Sequence, residues 1–157
     1  MSQTMTRPTS PVARVPRWVG VLSPMLQALL RAGVPMGYNS LMTIRGRKTG
    51  EPRTTPLAVI EHDGRRWVWS PWGEVHWVRN LRTAGRATVT VRGRTEEVRA
   101  TELDADQRVA WFRDVLVPVA RSIPFGMSFI RFVDQTDLSD PAEAAEGRRV
   151  FELLPMA

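Results

Sequence analysis

Short β-prone segments separated by tight-turn signals are the feature that most restricts how this chain folds. Asp63-Gly64 stands between two such segments and is a strong signal for a two-residue hairpin turn. A second hairpin is predicted around Gly93. Six short and largely antiparallel strands are typical of a small, mainly β barrel of the α+β class, not of a parallel sheet. The predicted strands cover residues 40–44, 54–62, 65–70, 87–93, 94–103 and 148–154.

Helical periodicity is present between these strands and before them. Ser23 resembles an N-cap in front of a proline, and Gly33 ends the apolar run that follows. The apolar face of this first helix either packs on the core, covers an apolar substrate or rests on a membrane surface. Asp104 and Gln107 have the spacing of a capping box. Three further helices are predicted over residues 73–85, 104–121 and 139–147.

Length and composition indicate one soluble domain. Residues 1–18 are polar and spaced by prolines, which predicts a disordered or extended tail, and residues 19–157 are predicted to form a single domain. No segment has the roughly 18 uninterrupted apolar residues of a membrane span. The Ser23-Pro24 pair interrupts the apolar run that could otherwise be mistaken for a signal peptide, so a cytoplasmic location is expected.

The absence of cysteine excludes disulfides, thiolate metal sites and cysteine nucleophiles. With His62 and His76 as the only histidines, no metal centre is predicted. The net charge of +6 favours acidic partners such as phosphates, polycarboxylates, nucleic acid or anionic lipid. Lys48 is the single lysine among 22 basic residues.

That lysine lies within "RGRKTGEPRTTPL", a basic turn between two predicted strands. The turn is not a nucleotide-triphosphatase phosphate loop, since the order of glycine and lysine differs and the chain continues into a strand rather than a helix. No helix N-terminus is therefore expected to help bind an anion here. Arg47 and Arg53 can fork onto phosphate or carboxylate oxygens, with Lys48 as a point charge and Thr49 as a hydroxyl donor. The alternative is a solvated hairpin turn.

This stretch, followed by a hairpin and the pattern Trp-x-x-Asn-Leu, resembles the deazaflavin-dependent nitroreductase and quinone reductase family. Those actinobacterial and related proteins are split β-barrels, similar to FMN-binding barrels, that use the reduced 5-deazaflavin coenzyme F420. The resemblance covers residues 40–102 and, more faintly, the ending "RRVFEL". The family pattern is matched at Gly46, Arg47, Lys48, Thr49, Gly50, Arg53, Pro56 and Leu57.

The resemblance implies a role for each of nine residues in binding coenzyme F420. The basic turn would grip the phosphate and the acidic oligoglutamate tail, Thr55 and Pro56 would approach the edge of the deazaflavin ring, and Ser70 would lie beside the ring. Trp77 and Asn80 match the tryptophan and asparagine of the family's helix. The implied coenzyme-binding residues are Arg47, Lys48, Thr49, Arg53, Thr55, Pro56, Ser70, Trp77 and Asn80.

The chain departs from the family on the side where the substrate would bind. The connection "PWGEVH" is short and places Trp72 in the pocket wall, and Phe125 and Phe129 stand where well-known members have tyrosines. The substrate side is therefore expected to be more apolar. The catalytic residue is not identified, since a proton can come from water or from Tyr38, Ser70 or His76. Trp67 and Trp69 share one strand face, which suits either a stacking wall or ordinary core.

The implied activity is hydride transfer from reduced coenzyme F420 to an electron-poor small-molecule acceptor, namely a quinone, an enone or a nitroarene. A separate F420-dependent dehydrogenase would re-reduce the coenzyme, and FMN is the alternative cofactor. A non-catalytic barrel that carries a lipid or a flavin-type ligand is the second hypothesis, favoured by the helix around Leu26. A nucleic-acid-binding barrel is a third, but no binding signature supports it, so no nucleic-acid partner is expected. Contact with the inner membrane surface remains an open expectation.

Overall fold

The computed structural model describes residues 40–124, 126–132 and 136–156, with the side chains of Phe129 and Phe132 excepted. The predicted tail, the helix that begins at Ser23, Tyr38 and Phe125 lie outside the described residues. The strands are β1 (Ser40–Arg45), β2 (Pro52–Leu57), β3 (Val59–His62), β4 (Arg65–Ser70), β5 (Arg86–Val91), β6 (Arg94–Glu102) and β7 (Arg149–Pro155). The helices are α1 (His76–Ala84), α2 (Ala105–Trp111), a π-helical turn (Phe112–Leu116), α3 (Val117–Ser122), α4 (Gly126–Phe132) and α5 (Pro141–Ala145).

The seven strands within the described residues form one antiparallel sheet in the order β2-β1-β5-β6-β7-β4-β3. Its two edge strands, β2 and β3, are separated in the chain only by Ala58. The sheet therefore has to curl until its edges meet at that residue, which gives the predicted split β-barrel. The strand predicted over residues 54–62 is in fact two strands, and this division accounts for the seventh. Pro52 and Pro56 are accommodated because β2 is an edge strand, where a missing N–H group is tolerated.

Both predicted hairpins are confirmed. Asp63 and Gly64 have φ values of 51° and 73°, and Arg92 and Gly93 have values of 51° and 75°. Two consecutive left-handed residues form the type of turn whose twist matches that of the flanking strands. These turns join β3 to β4 and β5 to β6.

The barrel interior is one of two hydrophobic cores in the described part of the chain. It is filled from all seven described strands, and α1 closes it with the fully buried Val78 and Leu81. Phe151 of β7 lies in this core at 1% exposure. Gly85, the last residue of the helix predicted over residues 73–85, ends α1 in the left-handed conformation with φ of 69°. The barrel and α1 thus form one packed unit.

The second core lies on the other face of β4 and β7, beneath the C-terminal helices. Trp67 and Trp69 belong to it, at 3% and 5% exposure, and both pack against Trp111 with ring centroids 6.4 and 6.3 Å apart. The sequence allowed these tryptophans to form either a stacking wall or part of the core, and the structure supports the core. Their alternation with Val68 follows from the period of two in a strand.

The helical segment after β6 begins as predicted and then differs in two respects. The capping box is formed, since Asp104 Oδ1 accepts from Gln107 N and Gln107 Oε1 accepts from Asp104 N. The predicted helix over residues 104–121 is interrupted by the π-helical turn, and α4 was not predicted at all. Gly126 at the start of α4 lies so close to the Ala120 carbonyl that a Cβ would overlap it. In the described part of the chain, no helix has the length and apolarity needed to cross a membrane.

Candidate functional site

The basic turn between β1 and β2 has a closed backbone structure. Gly46 N donates to Glu51 O over 2.8 Å, and Gly50 N donates to Gly46 O over 2.9 Å. Gly50 has a φ of 73°, a conformation that glycine adopts without strain. Thr49 Oγ1 accepts from Glu51 N over 3.2 Å. The turn is therefore a defined structure that fixes the starting points of its basic side chains.

A groove of about 680 Å³ lies between this turn, β2 and the beginning of α1; we call it the helix-side groove. Its size is within the range of roughly 300–1,000 Å³ typical of small-molecule sites. Seven of the nine residues predicted to bind a coenzyme line it, together with His76. These seven are Arg47, Lys48, Thr49, Arg53, Thr55, Trp77 and Asn80.

The register of β2 against β1 explains why Arg53 and Thr55 face this groove. Arg53 is opposite Ile44, and Thr55 is opposite Met42, so both share the face that turns toward the barrel interior. Pro56 lies on the opposite face of β2 and does not line the groove in the described structure. Thr54, on the same face of β2 as Pro56, also lines the groove, so this edge strand contributes residues from both of its faces.

Helix α1 brings its N-terminus to the same groove. Its first two residues, His76 and Trp77, line the groove, and Val75 at the N-cap position makes no side-chain capping bond. The first N–H groups of a helix carry partial positive charge and favour anions. The expectation that no helix N-terminus is available at the basic turn is therefore wrong. The helix that supplies one begins some thirty residues further along the chain, so the sequence of the turn itself does not reveal it.

The charge of the helix-side groove is one-sided. Arg47, Lys48 and Arg53 line it, and none of the lining residues that the structure describes is acidic. Arg53 has one acidic neighbour, Glu51, at 3.9 Å, and both side chains are more than half exposed, so this ion pair neutralises little of the charge. The groove is suited to an anion.

A second groove, of about 950 Å³, lies on the other side of the same turn; we call it the sheet-side groove. Arg45 and Arg86 add to its positive charge, and Glu97 is the acidic residue among its described lining. Sequence reasoning missed Arg86 as a site residue. No local signal marks it, since it reaches the turn only because β5 pairs with β1.

Two of the remaining predicted residues, Ser70 and Trp72, are described and do not line either groove. Ser70 is fully buried, and its Oγ donates to Gly73 O over 2.7 Å. Trp72 is half-buried and is not among the described residues that line either groove. Tyr38 and Phe125 lie outside the described residues, and of Phe129 only the backbone, in α4, is described.

An ion-pair cluster holds α1 in place behind the helix-side groove. Arg82 donates two hydrogen bonds of 2.8 Å to Glu102 on β6 and one of 3.0 Å to Glu74. Arg149 of β7 lies 3.2 Å from the same Glu74 oxygen. The hydrogen bond from Arg82 holds the pKa of Glu74 below its usual value. The cluster connects the helix that carries Trp77 to two strands of the barrel.

We expect Arg82→Ala to lower the free energy of unfolding at neutral pH by about 0.5–1 kcal/mol, since these pairs are partly exposed. The folded-state pKa of Glu74 is lowered, so its ionised form stabilises the fold above the unfolded-state pKa. That contribution is lost as the pH falls through the folded-state pKa. The difference between wild type and Arg82→Ala should therefore shrink in acid, as measured by urea denaturation over a pH series. Introducing Arg82→Ala into a Glu74→Gln background is the control, and an equally pH-dependent difference there would contradict this assignment.

Comparison with known proteins identifies the family. A family model described as F420H(2)-dependent quinone reductase matches residues 28–122. No curated protein gives a significant match. An F420-H2 dependent reductase structure, FDR-A, is 18% identical, with a TM-score of 0.51 over 74% of this chain and 93% of the other. A conserved hypothetical protein from Mycobacterium tuberculosis is also 18% identical, with a TM-score of 0.52 over 97% of this chain and 87% of the other.

A protein of unknown function from Agrobacterium tumefaciens is 21% identical over 94% of this chain, with a TM-score of 0.49, and this chain covers 60% of its length. At these identities, the structures with TM-scores above 0.5 support the fold alone, and their agreement confirms the split β-barrel. The family model covers more than half of the sequence, including the basic turn and α1. The chain therefore belongs to the F420H(2)-dependent quinone reductase family.

Proposed function

We propose that this protein is an oxidoreductase that uses reduced coenzyme F420 to transfer a hydride to an electron-poor acceptor, such as a quinone, an enone or a nitroarene. One observation carries the proposal: in a member of this family, the basic turn lines a ligand-sized groove with three cations and no acidic residue in its described lining. An anionic redox coenzyme fits that groove by size and by charge.

The chemistry of the donor set fits this coenzyme. Arg47 and Arg53 can each form bidentate hydrogen bonds with a phosphate or carboxylate group, and Lys48 adds a point charge. The uncapped N-terminus of α1 favours a phosphate in the same groove. We propose that an oligoglutamate tail continues past the turn toward Arg45 and Arg86 in the sheet-side groove. FMN has one phosphate and no such tail, so it would use fewer of these cations, and it is the less suitable cofactor.

When bound, reduced coenzyme F420 supplies the hydride, so the protein needs no nucleophile of its own. Its residues bind the coenzyme, orient the acceptor and exclude water. Trp77 offers a flat apolar surface whose position is fixed by Phe151, with ring centroids 6.1 Å apart. Thr55 lies on the groove-facing side of β2. We assign Trp72, Phe125 and Phe129 to the acceptor side, as the resemblance implies.

Of the two candidate proton donors that the structure describes, His76 and Ser70, His76 has the more suitable place. It is exposed and lines the helix-side groove, and a histidine side chain can act as a general acid. The Ser70 hydroxyl is already donated to a backbone carbonyl in the interior. We therefore propose that His76, or water beside it, protonates the reduced acceptor. A separate F420-dependent dehydrogenase would return the coenzyme to its reduced form.

A titration of the protein with oxidised coenzyme F420, followed by fluorescence, tests the binding step. We expect saturable binding at micromolar concentration, and turnover of the reduced coenzyme when menadione is added as the acceptor. FMN and a fatty acid are titrated in parallel. Absence of coenzyme binding would overturn the proposal, and binding without turnover by any quinone, enone or nitroarene would favour a carrier. The helix around Leu26, which favoured a lipid carrier, lies outside the described residues.

A further inference from the structure

Asn80 is a buried polar residue of α1 whose hydrogen bonds lead to the basic turn. Its exposure is 7%, and it lies in the helix beside the core residues Val78 and Leu81. Its Oδ1 accepts from the backbone N of Arg47 over 3.2 Å and from Nη1 of the same arginine over 2.8 Å. One buried atom therefore fixes both the backbone and the side chain of a residue that is 33 positions away in the chain.

The orientation of the Asn80 amide follows from this contact. Arginine carries only donors, so the atom that faces Nη1 has to be the oxygen. A buried carbonyl oxygen needs such partners, because an unsatisfied polar group in the interior is costly. The guanidinium uses one of its five N–H groups in this bond, which leaves its remaining donors for an anion in the helix-side groove.

We propose that Asn80 is a positioning residue that holds the Arg47 guanidinium at the groove and couples the basic turn to α1. This inference rests on the proposed function. A long arginine side chain that is free in the unbound protein loses rotamer freedom on binding, whereas one that is already held does not. The buried amide oxygen thus pre-organises the anion site.

Two substitutions of Asn80 separate this role from a general structural one. Asn80→Ala removes the acceptor, and we expect coenzyme affinity to fall about tenfold through lost pre-organisation, with KM raised and kcat within about twofold of wild type. Asn80→Asp keeps an acceptor oxygen for the two hydrogen bonds from Arg47 but pairs a carboxylate with that arginine. Its affinity should also fall, and its salt dependence should become shallower, because one positive charge is neutralised. The Asn80→Asp variant also keeps the proposal testable if the alanine variant does not fold.

Arg47→Ala completes a double-mutant cycle with Asn80→Ala. If Asn80 acts through Arg47, adding Asn80→Ala to Arg47→Ala should change coenzyme affinity by less than about twofold. Equal losses of affinity in the presence and absence of Arg47 would overturn the proposal. A fall in kcat without a change in KM would do the same.

Hydrogen exchange at the Arg47 amide provides a readout that does not depend on the coenzyme. The amide should be protected in wild type, since it donates to a buried oxygen, and should exchange faster in Asn80→Ala. If wild type bound no coenzyme but this difference were observed, the proposed function would fail while the link from Asn80 to Arg47 would stand. If the amide exchanged equally fast in both proteins, the positioning role would be refuted.

Discussion

We expect the Lys48→Ala, Arg53→Ala double variant to bind coenzyme F420 roughly 10²–10⁴-fold more weakly than wild type, at about 1.5–3 kcal/mol for each hydrogen bond to a charged group. Both side chains line the helix-side groove, which has no acidic residue in its described lining, so their charges face any anion there. Both are also largely exposed, so their removal should leave the fold intact. The weakened binding should also be less sensitive to salt, since two cations no longer take part. Fluorescence titration at several salt concentrations measures both effects.

The control for this experiment is the Arg94→Ala, Arg121→Ala double variant. It lowers the net charge by the same amount, but both residues are exposed and lie outside the described lining of either groove. We expect its affinity to stay within about twofold of wild type, since distant surface charges are screened. If the two double variants lost affinity equally, the effect would come from overall charge and not from the basic turn.

Phe151→Ala should cause the largest loss of stability, about 3–5 kcal/mol in the free energy of unfolding. Phe151 is 1% exposed at the centre of the barrel core, and its removal leaves a cavity that the surrounding strands of an antiparallel barrel cannot readily fill. For a domain of this size the expected drop in Tm is roughly 6–20 °C. Because Phe151 packs against Trp77, the remaining folded protein should also bind coenzyme more weakly.

Leu154→Ala is the matched control on the same strand. Leu154 is 39% exposed near the end of β7, so its truncation should cost less than about 1 kcal/mol. Urea denaturation of the two variants, with coenzyme titration under conditions where both are folded, separates the two effects. Similar stability losses for both variants would show that the barrel core does not depend on Phe151 as its burial indicates.

The local elements of this protein could largely be predicted from the sequence because short-range chemistry sets them. Gly64 and Gly93 supply the left-handed conformation of their hairpins, and Asp104 with Gln107 forms its capping box. The division of residues 54–62 could not be predicted in the same way. Its residues all favour strand, and only the closure of the sheet assigns Leu57 and Val59 to opposite edges.

The candidate site shows the same contrast. The motif around Lys48 and the Trp-x-x-Asn-Leu pattern together were enough to select seven residues that line one groove. It was not enough to show that Asn80 bonds to Arg47 or that Ser70 is directed into the interior, because those outcomes depend on how α1 and β4 pack. The choice between core and pocket for Trp67 likewise depended on the helices that cover β4.

Residue chemistry alone set the positions of the turns and caps and the concentration of positive charge between Arg45 and Arg53. Only the tertiary structure decided how the basic turn becomes a site. The curl of the sheet and the pairing of β5 with β1 determine which cations share each groove, and the docking of α1 brings a helix N-terminus to the helix-side groove. The physical reason is the range of the interactions. Backbone conformation responds to neighbouring residues, whereas a binding site is made by side chains that only long-range packing brings together.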